Sequence, residues 1–185
     1  MKHVVGFISG HSVRGCTGLS QEHREFQRRS TVPERNWLRY NFPWQETFPF
    51  PEPFQLLSAS FNNVRHYFES RRHVFREAHR SAVVELFAEY DEVILLAGSC
   101  GLELLNNLDL PEQTRQRLHV FAYGPVSRHK PQVASCFLVQ GEQDLISWVF
   151  HREVDVRFPC GHMSYLTAPK TLSLFESCYR KVLEA

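Results

Sequence analysis

The chain has 185 residues, 43% of them hydrophobic and 22% charged, with a formal charge of +1. This is the composition of one ordinary globular domain spanning residues 1–185, with too weak a field to draw nucleic acid or an anionic membrane as a partner. Its five cysteines (Cys16, Cys100, Cys136, Cys160 and Cys178) form no CxxC pair, which argues against a disulfide framework or a zinc site and for reduced thiols.

His3 to Ser9 reads as a first buried strand, ending in Ser9-Gly10-His11-Ser12. Its apolar run is too short for a signal peptide, and no later stretch approaches membrane-spanning length, so a cytoplasmic protein is expected. Gln21 to Arg29 is polar and helix-competent, and Trp37 to Phe42 alternates like a second strand. Pro43 to Phe54 holds four prolines among its aromatics and reads as a loop. From Ser60 to Tyr90 apolar residues recur at helical spacing, as one helix or two.

Val93 to Leu96 are four apolar residues in a row, the mark of a strand inside a parallel sheet. They run into Ala97-Gly98-Ser99-Cys100-Gly101, after which Leu102, Leu104, Leu105 and Leu108 start a helical pattern. Pro111 to Leu118 reads as a short helix opened by proline. His119–Tyr123, Ala134–Val139 and Val154–Phe158 read as further strands, the last closed by Pro159-Cys160-Gly161-His162. Ser164 or Thr167 is a candidate cap for a terminal helix over Ala168–Leu183. The alternation predicts a three-layer α/β sandwich, with a central, mainly parallel sheet of about six strands flanked by helices. Functional residues in such sheets lie at the carboxyl ends of strands. Gly10-His11, Ser99, Asp144 and His162 fall there.

A serine hydroxyl needs a base to become a nucleophile, and a histidine needs a carboxylate to fix its tautomer. Ser99, Asp144 and His162 supply these groups as candidate catalytic residues. The small-x-Ser-x-Gly turn between strand and helix resembles the nucleophile turn of the α/β-hydrolase superfamily, and the order Ser, Asp, His is that family's order. Leu138 to Asp144 is similar to its strand-Gly-x-x-Asp segment, and Gly161-His162 before a terminal helix is similar to its histidine loop. The closest likeness is to small lidless serine esterases. It implies hydrolysis of an ester or thioester, small or linked to an acyl carrier, through an acyl-Ser99 intermediate with no cofactor.

The resemblance also implies an oxyanion hole made by the Cys100 N–H and a donor from the first loop, His11 first and Ser12 next. A competing frame centred on Cys100 puts bulky Leu102 where a small residue is wanted, so serine is preferred. The segment between Asp144 and His162 is short for the family, and its usual helix is expected to shrink to a turn. Amidase or acyltransferase chemistry on the same triad, or a noncatalytic binding module, are the alternatives.

Trp44, Phe48 and Phe50 follow the expected second strand and are candidates for an acyl pocket; a proline-rich cover over an apolar patch is the other reading. His66, Arg71, Arg72, His73, Arg76, His79 and Arg80 read as a solvated helix face interrupted by Glu69 and Glu77. No His/Cys spacing suggests a metal site, and no glycine pattern fits a nucleotide fingerprint. The sequence carries no sign of the oligomeric state.

Overall fold

Four consecutive apolar residues need apolar cover on both sides, and Val93 to Leu96 have it. In the structure, a computed structural model, residues 1–51 and 56–185 are described, with the side chains of 56–58 excepted. Five strands form one parallel sheet in the order β1-β2-β3-β4-β5. They are β1 (His3–Ser9), β2 (Glu92–Gly98), β3 (Leu118–Tyr123), β4 (Ser135–Gly141) and β5 (Val156–Phe158).

Alternate β2 side chains divide between two cores. Val93, Leu95 and Ala97 join Tyr67, Phe75, Val83 and Phe87 from helices α2 (Leu56–Ser70) and α3 (His73–Ala88), with Leu102 and Leu105 of α4 (Gly101–Asn107). Ile94 and Leu96 join Phe26 of α1 (Gln21–Arg29) and Phe175 and Tyr179 of α7 (Pro169–Glu184). The result is the three-layer α/β sandwich. The long helical stretch is two helices.

The sheet has five strands rather than about six because Trp37–Phe42 is not a strand. Trp37 makes one bridge to Val5, and the Leu38 N–H donates to the Val5 carbonyl at 2.8 Å. Beyond that, side chains serve the edge of β1. The Trp44 indole N–H donates to the Phe7 carbonyl at 2.9 Å, and the Asn41 amide meets the Ser9 N–H (3.0 Å) and carbonyl (3.2 Å). These bonds replace a ladder, so the sequence alternation reflects packing against β1 rather than pairing.

Two smaller expectations also fail. The segment after Asp144 is a helix, α6 (Leu145–Phe150), because the Asp144 side chain caps it by accepting from the Ser147 N–H at 3.0 Å. The terminal helix begins after Ala168, which has no capping side chain; Thr167 instead bonds the Ser164 carbonyl. Pro111 precedes the short α5 (Glu112–Arg115). Among the described residues no helix is long and apolar enough to cross a membrane.

Candidate active site

The strand register brings the ends of β1, β2 and β3 level, with Ser9 beside Gly98 and Gly98 beside Tyr123. Ser99 follows at once. Its φ is +50°, in a region few side chains adopt, so β2 turns abruptly into α4 and the residue stands at the tip of the turn. The Ser99 N–H donates to the Tyr123 carbonyl at 3.2 Å, and the Ser99 carbonyl accepts from the Val126 N–H at 3.0 Å. The two bonds fix the turn to the end of β3 and to the loop after it. Gly101 must be small, because a Cβ there would lie 1.9 Å from the Ile8 carbonyl oxygen of β1.

Asp144, at the end of the β4 segment, is 1% exposed. Its carboxylate accepts from His162 Nδ1 at 2.9 Å to each oxygen, from the Ser147 N–H and, at 2.6 Å, from the Tyr165 hydroxyl. Burial opposes its charge, but the bonds from His162, Ser147 and Tyr165 outweigh it and hold the carboxyl below its usual pKa. With the Nδ1 proton committed to Asp144, the other ring nitrogen is left as an acceptor. His162 Nε2 lies 3.1 Å from the Ser99 hydroxyl oxygen. Ser99, His162 and Asp144 thus form one continuous hydrogen-bonded chain.

Tyr165 carried no signal in the sequence beyond its place three residues after His162. Its oxygen also accepts from the Gly141 N–H at 2.7 Å, tying the carboxylate to the end of β4. Gly124 passes close behind: a Cβ there would sit 2.9 Å from the Asp144 carboxylate and 2.5 Å from the Tyr165 ring. With φ of +54° the position suits glycine twice over.

A five-stranded parallel sheet between helical layers, a positive-φ serine between strand and helix, and a carboxylate and an imidazole on the following loops define the architecture. It is a three-layer α/β sandwich. No family model matches the sequence, and no curated protein matches it. Among solved structures, a lidless α/β serine hydrolase from Xanthomonas campestris is similar over 98% of this chain and 81% of its own, at 14% identity and a TM-score of 0.46. That likeness is too distant to carry an activity across.

Cys100 has ordinary helical angles, so the left-handed residue of the turn is Ser99 and not the cysteine. The Cys100 thiol is 3% exposed, and burial pushes its pKa up to about 12. A thiolate there is strongly disfavoured.

The expected second oxyanion donors are both occupied. The His11 N–H donates to His66 Nδ1 at 3.1 Å, and the Ser12 N–H donates to the Gly10 carbonyl at 3.1 Å. His66 and His79 were expected on a solvated face. Instead His66 packs at a tilt on His11, with ring centres 4.4 Å apart; His11 Nε2 meets the Phe42 carbonyl, and His79 packs on Phe42 and Phe75. Burial, then the neighbouring His11 and His79, push the His66 pKa down to about 3, which keeps the ring a neutral acceptor.

Trp44 is not a pocket residue. It is 9% exposed and packs on Phe42 and Phe87 in the core. Phe48 and Phe50 line a cavity of about 790 Å³ with Leu19, Trp37 and Tyr40, and none of Ser99, Asp144 and His162 is among its walls. The rest of the aromatic loop, Glu52 to Phe54, lies outside the described residues. Apolar surface does flank the Ser99–His162–Asp144 chain, on α6 and α2. Among the described residues no group of three or more His, Cys, Asp or Glu side chains could hold a metal ion.

Proposed function

We propose that this chain is a serine hydrolase that cleaves a carboxylic ester or thioester through an acyl-Ser99 intermediate. The observation that carries the reading is the unbroken relay from Asp144 through His162 to a serine on a positive-φ turn.

The chemistry follows from the relay. His162 Nε2 takes the Ser99 proton as the hydroxyl oxygen attacks the substrate carbonyl, and Asp144 stabilises the imidazolium that forms. The tetrahedral oxyanion is met by the Cys100 N–H at the head of α4 and, once His66 gives way, by the His11 N–H. His162 then hands its proton to the departing alkoxide or thiolate. Water, activated by the same ring, releases the acid and restores Ser99. An amine leaving group or an acyl acceptor other than water would use the same groups.

A fluorophosphonate probe, which reacts only with an activated serine, tests the reading when followed by peptide mapping. The label is expected on the peptide carrying Ser99, in wild type and in Cys100→Ala, and absent from Ser99→Ala. Activity towards p-nitrophenyl acetate should fall roughly 10⁴-fold or more in Ser99→Ala and persist in Cys100→Ala. Label on a cysteine, or none on the folded wild type, overturns the proposal.

A further inference from the structure

Helix α6 is inside out. Its one serine, Ser147, is fully buried and takes a hydrogen bond from the Gln140 amide at 3.0 Å. Its apolar residues point to solvent: Leu145 is 73% exposed, Val149 71%, Ile146 53% and Trp148 47%. A surface helix ordinarily turns such residues inward, and an apolar patch of this kind on a soluble fold marks a contact surface.

A second apolar stripe stands beside it. Phe61, Val64 and Phe68 of α2, spaced three and four apart, share one helix face, and each is more than half exposed. The two stripes meet where the Tyr67 ring contacts Phe150 at 5.9 Å and Phe68 at 5.3 Å. Both flank the catalytic chain. Asp144 caps α6, exposed Met163 follows His162, and Asn63 of α2 presses on Gly10 beside Cys100.

We propose that this apolar face seats the protein on a lipid–water interface bearing anionic headgroups. As the route by which an ester reaches Ser99 this rests on the hydrolase reading; the binding itself does not. The cations around the face choose the occupant. Arg152 lies over the Trp148 ring at 5.3 Å, a pairing of amphipathic ring and snorkelling cation that suits headgroup depth. Arg71 and Arg72 stand just beyond the C-terminal end of α2, and among the described residues none of these three guanidiniums has a carboxylate partner. Glu142 and Glu153, which lie outside the two ends of α6, do not interrupt its apolar run. A net charge of +1 argues against long-range attraction but not against apolar insertion after contact.

The structure supplies its own reporter, since Trp37 and Trp44 are 8% and 9% exposed and only Trp148 can gain much apolar surroundings. The full chain carrying Ser99→Ala, which leaves hydrolysis out of the readout, is mixed with vesicles of equal parts phosphatidylcholine and phosphatidylglycerol. Flotation with the vesicles and a blue shift of tryptophan emission are expected, the shift disappearing in Trp148→Phe while flotation remains. The double substitution Ile146→Asp with Val149→Asp, at exposed positions, should keep the wild-type melting curve and weaken flotation about tenfold or more. Failure to float overturns the proposal whatever the fluorophosphonate result. So does a lipid-free dimer in sedimentation that the double substitution dissociates, because a second copy would then cover the face.

Discussion

Asp144 and Glu103 are both carboxylates with fully buried side chains, and they do different work. Glu103, on α4, accepts from the Arg128 N–H at 3.0 Å, from Arg128 Nε at 2.7 Å and from the Asn107 amide at 3.3 Å. Asp144 is as richly bonded, but the side chain it holds is a histidine. An arginine stays charged at every relevant pH, so the Glu103 pair can only hold the loop after β3 against α4. A histidine can take up and give back a proton, so the Asp144 pair is the one suited to the proposed catalytic cycle. Burial and hydrogen bonding look alike at the two acids. The titratability of the partner separates a clamp from a relay.

The largest expected break in this comparison is Asp144→Asn. It should lower kcat/KM by about 10⁴, since the amide no longer fixes the tautomer that leaves Nε2 free to accept. The same variant has a stability signature. The Asp144 pKa is depressed on folding, so its contribution is present above the unfolded carboxyl value and is lost as pH falls through the lower folded value. The stability gap between wild type and variant should therefore narrow with acidification, which urea titrations at several pH values would measure.

Glu103→Gln is expected to invert that pattern. It should cost about 1–3 kcal/mol of stability, less than a fully buried pair would because Arg128 is 45% exposed, and leave kcat/KM within about twofold. A large loss of activity in a folded Glu103→Gln would break the distinction between clamp and relay. The smallest effect is expected from Tyr165→Phe, which removes one donor from Asp144 and the acceptor of the Gly141 N–H. A loss of about 1–2 kcal/mol in thermal stability with only a several-fold fall in kcat would place Tyr165 as a positioning residue. Unchanged kcat would restrict it to structure.

The parallel sheet was legible because burial on both faces writes unbroken apolar runs, as in Val93–Leu96. The turn at Ser99 was legible because close approach to β1 demands small residues such as Gly101. Side-chain roles without a period were not. Asn41 and Trp44 replace a strand through side-chain bonds, which no alternation can report. α6 was missed because six apolar-rich residues fit no amphipathic template when the apolar side faces out. His66 and His79 were read as solvated along with their arginine neighbours. The available signal was that His79 follows Phe75 by one turn, on the buried side of α3.

The side-chain bonds along the outer edge of β1 have a consequence for growth of the sheet. A bare parallel edge is a template on which another extended chain can add, and long exposed edges lead to polymerisation. Here the Phe7 carbonyl and both backbone groups of Ser9 are already taken by an indole and an amide, groups that offer an incoming strand nothing to extend. The opposite edge, β5, is three residues long and too brief to nucleate pairing. The outer margin of β1 is thus closed to strand addition, and on the far side β5 covers only Val139–Gly141 of β4 and offers little length of its own.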